Sequence, residues 1–211
     1  MTADNRLPKV ILTTLAVLGA GLTLGARAWA AEAADLPAWD SAKLVSSDMC
    51  TVCHGKDNVG NQTAVLASGP HAKAVEALKS DKAKEVAAKA GVTDPATSGK
   101  CLKCHATAYG FTEESVTEEI EATEGITCQT CHGPGEDYNP KERHDTDAKV
   151  QKAVEKYGLI IPNEKTMCRR CHNETSPTYD ATRYTRADGT KVAFDFEQAV
   201  KKIEHKVKKA E

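Results

Sequence analysis

Cys50-Thr51-Val52-Cys53-His54, Cys101-Leu102-Lys103-Cys104-His105, Cys128-Gln129-Thr130-Cys131-His132 and Cys168-Arg169-Arg170-Cys171-His172 are four copies of one five-residue pattern. Two cysteines three residues apart on a helical turn share a face. Both can therefore form thioethers to the two vinyl groups along one porphyrin edge. The histidine after the second cysteine then brings its imidazole under the iron as proximal ligand. The pattern predicts four covalently attached c-type haems, bound through Cys50, Cys53, Cys101, Cys104, Cys128, Cys131, Cys168 and Cys171. Their irons would be held by His54, His105, His132 and His172. All eight cysteines of the chain are consumed this way. Zinc ribbons and redox dithiols also use Cys-x-x-Cys. Zinc needs no histidine after every second cysteine, however, and a dithiol enzyme needs one pair rather than four.

The first 30 residues read as a secretory signal. Arg6 and Lys9 start it, residues 10–26 are almost wholly apolar, and Ala28-Trp29-Ala30 is a small-x-small cleavage site. The run is marginal for a bilayer, which takes about 20 apolar residues, so cleavage near Ala30 and a soluble periplasmic protein are expected. Uncleaved, the same segment would be a membrane anchor. Loss of Arg6, Lys9, Arg27 and Asp4 leaves 25 basic and 29 acidic side chains, a net charge of −4. Haem propionates add to it. Such a balance argues against nucleic acid, which is held by clusters of Lys and Arg, and suits docking to redox partners through local charge.

Residues 31–211 have the length of one domain. Aromatic residues make up 5% and charged residues 27% of the chain, a poor basis for a side-chain core. Four porphyrins resolve this, giving a compact, mainly α fold with extensive loops in which the haems are the core and the apoprotein is largely unfolded. Residues 57–63 read as a polar loop. Ser68-Gly69-Pro70 opens a helix over 71–90 that Gly91 stops. Residues 113–124 read as a solvated acidic face. Gly133-Pro134-Gly135 ends the third motif's helix, and residues 147–157 form a short helix. Residues 194–209 form a last one, with Phe196, Val200, Ile203 and Val207 on one stripe. A short strand is conceivable at 191–193.

Ligand counting sharpens the chemistry. Of seven histidines, four belong to the motifs, leaving His71, His144 and His205 as candidate second axial ligands. His205 is the least secure, because on an ideal helix it lies opposite the apolar stripe. Met49 and Met167 each directly precede a motif and cannot reach the distal face of their own haem. At least one iron therefore lacks a His or Met distal ligand unless a methionine reaches another haem. Water, Lys or Tyr could also fill that position. An open iron would accept a small molecule, which decides between an electron wire and a catalyst.

The order of these features resembles the cytochrome c-554 family of tetrahaem electron carriers, paired with hydroxylamine oxidoreductase in ammonia-oxidising bacteria. The resemblance is carried by the first motif, Gly69-Pro70-His71-Ala72-Lys73-Ala74, and Cys104-His105-Ala106-Thr107-Ala108-Tyr109-Gly110-Phe111. It continues through Gly125-Ile126-Thr127-Cys128, Cys131-His132-Gly133-Pro134-Gly135, Cys171-His172 with Ser176-Pro177, and a late histidine. The resemblance implies three bis-histidine haems and one five-coordinate haem, the second, with His105 as sole axial ligand. It implies the pairs His54 with His144, His132 with His71 and His172 with His205, the first two exchangeable, and haems stacked in close pairs as in larger nitrogen-cycle enzymes. The ammonia-oxidiser members are strongly basic, whereas this chain is acidic, which leaves the electron donor open.

The expected function is periplasmic electron transfer between a redox enzyme, hydroxylamine oxidoreductase-like or other, and a downstream carrier. His/His ligation would keep potentials low, since Met/His ligation raises them. Two alternatives stand beside it. One is reduction of nitric oxide or a similar small nitrogen compound at an open haem iron over His105, with no catalytic side chain assigned. The other is an electron-relay subunit of a membrane-associated complex.

Overall fold

The computed structural model of the protein describes residues 40–139, 146–164 and 167–205. The leader reading for residues 1–30, and His144, lie outside them. Within them the chain is mainly helical with long connections, as expected, and its only described sheet is one two-stranded hairpin. In chain order the α-helices are α1 (Asp48–His54), α2 (Gln62–Ser68), α3 (Ala74–Ala77), α4 (Asp81–Lys89), α5 (Gly99–His105), α6 (Cys128–His132), α7 (Asp147–Tyr157) and α8 (Phe196–Val200). No described helix is long and apolar enough to cross a membrane.

Three of the four motifs occupy short helices, α1, α5 and α6, as their spacing predicts. The fourth makes only a 3-10 turn, Cys168–Arg170. Gly133 ends α6 at φ +82°, and the buried Tyr138 hydroxyl donates to the Gly133 carbonyl. α7 has the predicted limits. Thr146 caps it by accepting from the Lys149 N–H, and Gly158 at φ +75° stops it.

Elsewhere the elements differ from expectation. The helix predicted over 71–90 is three pieces: a 3-10 turn Pro70–Lys73, then α3, then α4. Ser80 breaks it by accepting from the Ala83 N–H, an N-cap inside the predicted run. Gly91 still stops the last piece, at φ +67°. The loop expected at 57–63 contains a 3-10 turn, Asp57–Val59, and the start of α2, capped by Asn61. The strand at Lys191–Val192 (β2) pairs antiparallel with Tyr184–Thr185 (β1) around a turn at Gly189, φ +83°. The predicted C-terminal helix is interrupted after Val200, so His205 follows α8 rather than riding on it.

The buried side chains form small separate clusters. Val75, Leu78, Leu102 and Ala106 make one; Leu44, Ala108 and Ile120 a second; Tyr138, Ala153 and Leu159 a third. The second pins the acidic segment. Its carboxylates Glu113, Glu114, Glu118, Glu119, Glu121 and Glu124 are exposed while Ile120 is buried.

Candidate functional site

The four motifs converge through their sulfurs. The Cys50 and Cys128 thiols share a hydrogen bond, which pulls Cys128 down to about 7 and, with burial, pushes Cys50 up. Cys104 and Cys171 do the same, with Cys104 pulled down to about 7 and Cys171 pushed up. Cys131 is pushed up to about 12 by burial and then by Cys168, and Cys171 also feels Cys131. The attachment sites therefore abut in the order first, third, fourth, second. All eight thiols are free of disulfides. Among the described residues no three of His, Cys, Asp and Glu gather as a zinc site requires.

Three of the motif histidines have Nδ1 anchored to an oxygen. His105 Nδ1 lies 2.6 Å from the Ala74 carbonyl oxygen, His132 Nδ1 3.0 Å from that of Ile160, and His54 Nδ1 3.2 Å from Gln62 Oε1. In the tautomer that donates from Nδ1, each Nε2 is left as the metal-facing lone pair. Two of the spare histidines face motif histidines. The rings of His71 and His172 are 6.2 Å apart, centroid to centroid, and those of His132 and His205 are 5.8 Å apart. Two imidazoles each bound at about 2 Å on opposite sides of one iron place their centroids about 6 Å apart. Burial holds both His71 and His172 below the usual imidazole value, in the neutral form that binds metal.

This pairing differs from the one that the resemblance implied. His71 stands against His172 rather than His132, and His205 against His132 rather than His172. His71 lies in the 3-10 turn Pro70–Lys73, and His205 follows the end of α8 at Val200.

The fourth site is braced from behind. Phe194, just after β2, stacks on the His172 ring at 5.0 Å and 24°, and Tyr184 of β1 packs edge-on against Phe194. Sequence reading missed this brace, although the Asp188-Gly189 pair is a hairpin signal. Among the described residues three buried hydroxyls, Ser47 Oγ, Thr63 Oγ1 and Thr127 Oγ1, have no hydrogen-bond partner. Ser47 and Thr127 flank the first and third motifs. A buried polar atom without a partner is costly, so these oxygens suit a polar-edged group such as haem. Eight cysteines, anchored imidazoles and these hydroxyls together fit that cofactor.

Comparison with known proteins agrees. Residues 49–133 match the family model described as cytochrome c554 and c-prime. A protein of Nitrosomonas europaea, cytochrome c-554, is 31% identical over 179 residues, which cover 73% of this chain and 70% of that one. This chain belongs to the cytochrome c-554 family. No solved structure matches it. Covalently bound c-type haem and electron transfer come with that membership.

In this cytochrome the second and third motifs are tied by one buried threonine. Thr107 accepts from the Thr127 N–H and donates to the Gly125 carbonyl, joining the exit of one motif to the entry of the next. Gln129, fully buried, accepts from the N–H groups of Val45 and Gly135 and donates to the Val45 carbonyl. The segment before the first motif is thereby fastened to the third. Phe111 adopts φ +69°, a left-handed conformation that costs a bulky residue about 1–2 kcal/mol, and Arg170 sits over its ring.

Proposed function

We propose that this protein is a tetrahaem electron carrier of the periplasm, its four haems attached at the four motifs and forming most of its core. The observation that carries the reading is the contact order of the attachment sites, first to third to fourth to second. Neighbouring attachment sites would bring their porphyrins close together. When bound, the haems supply one-electron chemistry. The chain supplies spacing, ligation and burial. His71 and His172 would ligate the fourth haem and His132 and His205 the third. His144, outside the described residues, is left for His54 or His105. The export reading rests on residues 1–30, and the partners would be periplasmic redox proteins, a hydroxylamine oxidoreductase-like enzyme among the candidate donors.

A specific observation favours a second reading. Among the described residues no histidine ring faces His105, and the resemblance makes the second haem the five-coordinate one. That iron would bind nitric oxide or a similar small ligand, the remaining haems delivering electrons. The electron paramagnetic resonance spectrum of the ferric protein, with a haem count on the same sample, tests both. Four haems, one high-spin and perturbed by nitric oxide, support an open second site. Four low-spin haems without response make the protein a carrier alone, and a count below four overturns the tetrahaem reading. Membrane retention after salt washing would favour a relay subunit.

A further inference from the structure

Arg170 stands between the two cysteines of the fourth motif, and its guanidinium carbon lies 4.9 Å from the centre of the Phe111 ring. Phe111 closes the exit of the second motif, directly after Gly110, and both residues have positive φ. That unfavourable backbone persists where the surrounding structure enforces it. It presents the ring's face to the cation, an attraction that strengthens when the pair leaves water. Arg170 is half-buried. Its neighbour Cys171 shares a hydrogen bond with Cys104 of the second motif. The guanidinium is thus fixed at the junction of two attachment sites, and it keeps its charge at any physiological pH.

We infer that Arg170 sets the reduction potential of the haems at the second and fourth motifs. This rests on the carrier reading, since it needs haem at both. One-electron reduction of ferric to ferrous iron makes and breaks no bond and takes the porphyrin core from a net charge of +1 to zero. A fixed positive charge nearby disfavours the oxidised form and raises the potential. Arg170 would make this pair of haems the better acceptors, giving direction to transfer along the order of motifs. Phe111 is the positioning residue that keeps the charge in place.

The test is a redox titration of the haem-loaded protein, followed by visible and paramagnetic resonance spectra, with haem counted by mass on each sample. In Arg170→Gln the ferrous-to-ferric ratio of two haems, read at fixed electrode potential, should fall roughly tenfold, equivalent to about 59 mV. The other haems should stay in place. Arg170→Lys should keep most of the wild-type value, and Phe111→Leu should shift the same two haems downward by less. Unchanged potentials in Arg170→Gln would overturn the inference. So would a shift in Arg170→Lys as large as in Arg170→Gln, which would mean that the packing of the planar group matters and its charge does not. If Arg170→Gln fails to mature, Phe111→Leu decides: a downward shift supports the inference and no shift overturns it. Missing haem at the second or fourth motif of the wild type would instead defeat the carrier reading.

Discussion

His205 is exposed, yet its ring lies 5.8 Å from that of His132. Its Nδ1 is 3.1 Å from the Ile203 carbonyl oxygen, so the tautomer donating there turns Nε2 to the metal side. His71 has the same relation to His172 from a 3-10 turn. Both candidates were legible as spare histidines, because counting ligands needs only composition. Their partners were not, because pairing depends on contacts across 73 residues in one case and 101 in the other. A crystal structure of the haem-loaded protein should show His205 on the iron attached at Cys128 and Cys131, and His71 on the iron attached at Cys168 and Cys171. Finding the two exchanged would restore the pairing implied by family resemblance. His205→Ala should leave the third haem high-spin without altering the ligation of the fourth.

Among the elements, α7 was legible to the residue because Thr146 and Gly158 mark its ends locally. The run over 71–90 misled because Ser80 sits among good helix formers, and its side chain outcompetes the continuing helix for the Ala83 N–H. α5 shows what local signals cannot convey. Gly99 opens it, and a Cβ there would stand 1.7 Å from the Glu113 carbonyl oxygen. The acidic segment therefore packs its backbone directly on the second motif's helix. Gly99→Ala should destabilise the haem-loaded protein by about 2 kcal/mol or more, read as a fall in denaturation midpoint. The hairpin and α8 carry a pH dependence. Asp195 caps α8 by accepting from the Gln198 N–H at 2.9 Å and pairs with Arg186 at 3.2 Å. These contacts, the cap first, hold its carboxyl below the usual carboxylate value. A depressed folded value means that the stabilisation is full above about pH 4 and fades as pH falls through that lower value. Phe194, immediately before Asp195, stacks on His172, so acid should loosen the fourth haem's ligation. In acid titrations of the visible spectrum, this component should be present in the wild type and absent in Asp195→Asn. Coincident profiles would separate Asp195 from the haem.

At the scale of the whole molecule, the clustered side chains among the described residues are few. The three clusters hold four, three and three buried residues, several of them alanines. Large apolar side chains such as Met49 and Val52 remain exposed around the first motif. Clusters this small among the described residues favour a chain that relies on its cofactors for stability. Covalent haem would change the balance twice: it would bring apolar surface for the helices to cover, and under the proposed ligation its iron would join residues distant in sequence, His71 to His172 and His132 to His205. Folding and haem attachment should therefore be one event, as in domains that fold only on binding metal. With all eight cysteines changed to alanine, or the protein made without haem attachment, circular dichroism should lose most of the helical signal. The unattached chain should also be degraded readily by protease, whereas the haem-loaded protein resists it. A haem-free chain that kept native helicity and protection would show that the small clusters suffice, and that the cofactors are carried by the fold rather than building it.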